Sequence, residues 1–123
     1  MVSETVRVLI VEDDPIQSLL LEKLFSSLDY KVIGKAESGR AAIDLAIKLK
    51  PDLITMDIML TDEIDGIEAA KEIQKEIKTD LVFMSGNKDE NLLKRASETD
   101  FKGFFRKPLD MRELKNFFSR VVY

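Results

Sequence analysis

The stretch PDLITMDIMLTDEIDG, residues 51–66, decides the fold. Leu53, Ile54 and Met56 form a short apolar run of the kind buried on both faces of a parallel sheet. Pro51 stops a helical pattern before the run, and Asp65-Gly66 opens another after it. The run ends on a bare carboxylate, Asp57. An ionised acid at the rim of an apolar core costs free energy unless something pairs with it, so the partners of Asp57 must come from elsewhere in the chain.

Working outward, the same unit recurs. Val6 to Val11 is a near-continuous apolar strand, followed by Glu12-Asp13-Asp14, with Asp14 as N-cap and Pro15 as first helical residue. Ile16, Leu19, Leu20, Leu24 and Leu28 fall at helical spacing. Lys31–Ala36 reads as a second strand and Ser38–Lys50 as a second helix, with Ala42, Ile43, Ala46, Ile47 and Leu49 toward the core. Leu53–Met56 is the third strand, and Ile67–Ile77 the third helix. Leu81–Met84 is the fourth strand, and Asp89–Glu98 a helix poor in apolar residues. Gly103–Phe105 is the fifth strand, and Met111–Val122 a closing amphipathic helix. Five strand–helix alternations predict an α/β fold with helices on both faces. Right-handed crossovers make it a doubly wound, five-stranded parallel sheet in the flavodoxin-like order 2-1-3-4-5.

The chain has 123 residues, 45% hydrophobic and 34% charged, which suits one compact domain spanning 1–123. It contains no Cys and no His. Thiol and Ser–His catalysis are therefore excluded, and any metal must be a hard cation held by oxygens. A net charge of −4 argues against nucleic-acid binding, and no run approaches the length of a membrane span. The expected compartment is the cytoplasm.

In a doubly wound sheet, ligands sit beyond the carboxyl ends of the strands. There the first strand delivers Asp13 and Asp14, the third Asp57, the fourth Ser85-Gly86-Asn87, and the fifth Lys107-Pro108. Each piece alone is an ordinary cap, turn or solvated charge. Together they have a chemistry. Crowded carboxylates call for a cation, and carboxylates plus phosphate oxygens suit Mg²⁺. Asp57 beside Mg²⁺ can attack phosphorus and become an acyl phosphate. Lys107 and the Ser85 hydroxyl can cover phosphoryl oxygens, and Gly86 leaves space for the group to enter.

This ordered set resembles the receiver domain of two-component response regulators, of the stand-alone, chemotaxis-regulator type, along the whole chain. The resemblance implies a phosphoprotein whose acceptor, Asp57, is charged by a histidine kinase or histidine phosphotransfer protein. It implies Mg²⁺ on Asp14 and Asp57 directly, on Asp13 through water, and on the backbone carbonyl of Met59. It implies a switch pair, Ser85 and Phe104, access to the phosphoryl group past Gly86 and Asn87, and a cis peptide before Pro108. A downstream protein would then read the face built from the fourth helix, fifth strand and fifth helix. With no room after the fifth helix for an output domain, the expectation is a non-enzymatic relay component that only accepts and loses phosphoryl groups.

The chain departs from the family pattern in places. Thr61 stands where a Pro is common, the loop before Asp65-Gly66 is one residue longer, and Ser85 and Gly86 replace the commoner Thr and Ala. Two rival readings are a receiver-like interaction module that is not phosphorylated, and a Mg²⁺-dependent aspartyl-phosphate phosphohydrolase. The hydrolase needs a general acid two residues past its nucleophile, where this chain has Met59.

Overall fold

The computed structural model describes residues 5–60, 63–86 and 90–120. Strands β1 (Arg7–Val11), β2 (Lys31–Ala36), β3 (Leu53–Asp57), β4 (Asp80–Ser85) and β5 (Gly103–Arg106) alternate with five helices. These are α1 (Pro15–Ser27), α2 (Gly39–Leu49), α3 (Gly66–Glu76), α4 (Glu90–Ala96) and α5 (Met111–Arg120). All strand pairs are parallel and the sheet order is β2-β1-β3-β4-β5, as the alternation predicts.

Side chains alternate across each strand, so the sheet separates two cores. Leu9, Val11, Ile54, Met56 and Phe83 pack under α2, α3 and α4. Val8, Ile10, Leu53, Val82 and Met84 pack under α1 and α5, where Phe25 and Phe118 stack edge to face. β3 is buried at every position, which explains why its sequence shows no polar alternation.

Four helices begin at the carboxyl rim of the sheet with a side-chain cap. Asp14 accepts from the Ile16 N–H, Ser38 from Ala41, Asp65 from Glu68, and Asp110 from Arg112 and Glu113. Each such cap contributes about 1 kcal/mol and fixes where the preceding loop ends. At α3 the fit is tight. A Cβ on Gly66 would lie 2.2 Å from the Asp57 carbonyl oxygen, so only glycine lets α3 start against the end of β3.

The structure moves several boundaries. β3 includes Asp57, β4 runs from Asp80 through Ser85, and α4 stops at Ala96 rather than Glu98. Asp89 and Val122, the expected ends of the fourth and fifth helices, lie outside the described residues. The inward face of α1 is also different. Ser18, Leu21, Leu24 and Phe25 are buried, while Ile16, Leu19 and Leu20 are exposed. Apolar residues are spread round the helix among Gln17, Glu22 and Lys23, so spacing alone could not choose a face, and packing of Phe25 against Phe118 chooses it. Among the described residues no helix is long and apolar enough to cross a membrane.

Candidate functional site

Strand register decides which residues meet at the rim. Val11 pairs with Met56, so Glu12, the residue just past β1, falls beside Asp57. Asp57 pairs with Met84 and Ser85 with Arg106, which sets Ser85 and Lys107 on the other side. The Lys107 N–H donates to the Ser85 carbonyl at 2.8 Å, and the Lys107–Pro108 peptide is cis. The Lys107 side chain reaches over the rim. Its Nζ lies 2.8 Å from Glu12 Oε1 and 3.2 Å from Asp57 Oδ2. The other oxygen of Asp57, Oδ1, accepts from the Met59 N–H at 3.1 Å.

The acids here are Glu12, Asp13 and Asp57, whose carboxylate oxygens lie within 4.8 Å of one another. Glu12 and Asp57 are buried and share the ammonium of Lys107, and Asp13 adds a third carboxylate to the cluster. Burial pushes the Glu12 carboxyl up from 4.5 to about 7, with Asp57 adding to the rise and Lys107 and the Asp14 N–H opposing it. Burial by itself would lower Lys107, but Glu12 and Asp57 outweigh it and hold the ammonium above its usual range. Glu12 Oε1 has its ion pair but no aligned hydrogen bond. Excess negative charge, oxygen donors only and an under-satisfied buried oxygen are what a hard divalent cation would relieve.

A match to the response regulator receiver domain spans residues 8–119. The chain belongs to that family. It is 32% identical to the chemotaxis protein CheY of Thermotoga maritima over 116 residues, covering 94% of this chain and 96% of that protein. It is 43% identical over 81 residues to a protein-glutamate methylesterase/protein-glutamine glutaminase of Syntrophus aciditrophicus, covering 65% of this chain but only 23% of that protein. The chain thus spans about a quarter of the length of such methylesterase relatives. Among solved structures, a CheX–CheY–BeF3–Mg complex from Borrelia burgdorferi superposes with a TM-score of 0.83 at 26% identity, covering 92% of this chain and 86% of that one.

Within this receiver domain the structure brings Asp57, Asp13, Lys107 and Ser85 to one rim, but not the Asp14 side chain. Asp14 is exposed, and its carboxylate caps α1. The acid beside Asp57 is Glu12, one position earlier than the expected pair Asp13–Asp14 places it. The signal was present in the sequence, because the apolar strand ends at Val11 and the next residue must emerge at the rim. Capping chemistry and cation chemistry both favour acids, and only the register separates them. Glu12 Oε2 also accepts from the Asp14 N–H at 3.1 Å, which holds its carboxylate inward.

Ser85 is fully buried and Phe104 half-buried. Phe104 pairs with Phe83, two residues before Ser85, so the hydroxyl and the aromatic share one face of the sheet. The Phe104 ring lies 6.4 Å from that of Phe83 and 6.3 Å from that of Phe101, in an aromatic cluster. Gly86 is exposed, and a Cβ there would come no closer than 3.9 Å to Lys107, so the rim is open at that point. Met59 is 51% exposed beside the acids. Asn87 and Thr61 lie outside the described residues.

Proposed function

We propose that Asp57 accepts a phosphoryl group from a phosphohistidine of a kinase or phosphotransfer protein, and that this modification switches a protein-binding face. The observation that carries the reading is the buried Asp57 carboxylate, spanned by Lys107 and crowded by Glu12 and Asp13. In the transfer, an Asp57 oxygen forms a bond to phosphorus while the phosphorus–nitrogen bond to the donor imidazole breaks. The electron pair leaves with the imidazole, and the product is an acyl phosphate. These 123 residues contain no His, so the phosphohistidine lies outside this domain.

Mg²⁺, held by Asp13 and Asp57 with Glu12 and the Met59 carbonyl alongside, would supply the positive charge that the phosphoryl oxygens need. The chain's own groups do the rest. Lys107 stands over Oδ2 and compensates charge on the transferred group. The Met59 N–H holds Oδ1 and so fixes the plane of the carboxylate. Ser85 donates to a phosphoryl oxygen, and Phe104 turns into the space that its movement releases. The readout is the face of α4, β5 and α5. Ile16, Leu19 and Leu20 of α1 and Met59 are exposed apolar residues at and beside the rim, and they suit contact with the phosphoryl donor. A net charge of −4 does not suit nucleic acid, and the chain acts as a relay component rather than as an enzyme.

Intact-mass spectrometry after incubation with acetyl phosphate tests this reading. A single phosphoryl adduct that requires Mg²⁺ and disappears in Asp57→Asn is the expected result. Absence of the adduct with both acetyl phosphate and a phosphorylated kinase would replace this reading with an unmodified interaction module. Continuous phosphate release with rapid turnover would replace it with a hydrolase.

A further inference from the structure

α4 is only seven residues long and sits on the sheet through Leu92 and Ala96, while Leu93 is exposed. Polar contacts from α3 and its cap also hold this segment. Arg95 Nη2 lies 2.8 Å from Asp65 Oδ2 and 3.8 Å from Glu68 Oε1. Lys71 Nζ lies 2.7 Å from Glu98 Oε2. Beyond α4, the Gln74 side chain donates to the Asp100 carbonyl at 2.7 Å and accepts from the Asp100 N–H at 3.1 Å. Three contacts therefore run along α3 and strap the whole passage from α4 to β5.

The strap is joined to the acceptor site at one end and to the switch aromatic at the other. Asp65 caps α3 with Oδ1 and holds Arg95 with Oδ2. The next residue, Gly66, donates its N–H to the Ile58 carbonyl at 2.9 Å and packs directly on the Asp57 carbonyl. At the other end Phe101, next to Asp100, is in ring contact with Phe104. For Phe104 to turn toward Ser85 it must leave Phe101 and Phe83, and the segment carrying Phe101 is the one strapped to α3.

From this arrangement we propose that the Asp65–Arg95, Lys71–Glu98 and Gln74–Asp100 contacts form a latch that holds α4 and Phe104 in place and opposes phosphoryl binding at Asp57. The regulatory half of the proposal rests on the phosphoacceptor reading above. By linkage, a contact that stabilises the arrangement with lower affinity for the phosphoryl group weakens binding by the same factor. Partly exposed ion pairs of this kind amount to about two- to fivefold in an equilibrium.

The test is an amide NMR titration with beryllofluoride at saturating Mg²⁺, run beside hydrogen exchange across residues 90–102. Arg95→Met should bind beryllofluoride about two- to fivefold more tightly and exchange faster in that segment. Lys71→Met should act in the same direction with a smaller effect, because Glu98 is 59% exposed against 29% for Asp65. The swap Lys71→Glu with Glu98→Lys should restore wild-type behaviour. Lys75→Met, which breaks only the Lys75–Glu72 pair within α3, removes the same charge and should change nothing. Unchanged or weaker binding in Arg95→Met, or equal tightening in Lys75→Met, overturns the latch. Unchanged exchange in Arg95→Met does so too. If the wild type takes no beryllofluoride, the phosphoacceptor reading fails and the regulatory role falls with it. The exchange data would still report separately on whether Arg95 holds α4.

Discussion

Metal-free protein should lose stability between pH 5 and pH 8, and Glu12 should be the cause. Its carboxyl is buried and raised from 4.5 to about 7, first by burial and then by Asp57. Below pH 4.5 the group is protonated in both folded and unfolded chains and contributes no pH dependence. Between 4.5 and about 7 the folded protein keeps a proton that the unfolded chain has released, so stability falls as pH rises. Above about 7 both forms are ionised, and the full cost of a buried carboxylate among acids is present. A shift of this size corresponds to about 3 kcal/mol. Among the described residues the other displaced groups titrate outside this window: Lys107 is raised above 10.5, Tyr30 is raised above 10.0, and Glu98 is lowered below 4.5.

Urea unfolding in EDTA at pH 5, 6, 7 and 8 reads the effect. With a slope of about 1.5 kcal/mol per molar urea, the midpoint should fall by about 2 M across the series. Glu12→Gln carries no titrating group and should flatten the profile. Saturating Mg²⁺ at pH 8 should recover the lost stability, because a cation bound by the folded cluster stabilises by mass action. A midpoint that stays constant or rises from pH 5 to pH 8 would refute the argument. So would a Glu12→Gln profile as steep as that of the wild type.

Three further outcomes separate the site from the scaffold. Asp14→Ala should cost about 1 kcal/mol through loss of the α1 cap, read as a drop in unfolding midpoint, and should leave Mg²⁺ affinity unchanged. Asp13→Asn should weaken Mg²⁺ binding with little loss of stability, and the reverse pattern would return Asp14 to the cation. Gly66→Ala should destabilise by about 3 kcal/mol or more, because its Cβ would meet the Asp57 carbonyl at 2.2 Å. Calorimetry should show this as a lower melting temperature, and a neutral result would mean that α3 can draw back from β3.

The sequence by itself determined the alternation of strands and helices, the sheet order and the reactive rim. Continuous β-branched runs, Pro15 and Pro51, and the caps Asp14, Ser38 and Asp65 are local signals that act over a few residues, and they survive folding intact. Asp57 and Ser85 were legible because each stands directly after an apolar run, and Lys107 because it follows the short Phe104-Phe105 run by one residue, where chain direction fixes the end of the sheet. Tertiary structure decided what local chemistry left degenerate. An acid suits a helix cap and a cation equally well, so choosing Glu12 over Asp14 needed the pairing of Val11 with Met56. An α1 segment with apolar and polar residues interspersed all round had no preferred face until Phe25 met Phe118. The contacts of Arg95 with Asp65 and of Glu98 with Lys71 cross 27 or more residues of sequence, and solvated charges carry no periodic mark that would reveal their partners. Only the packing of α4 beside α3 brings them within reach.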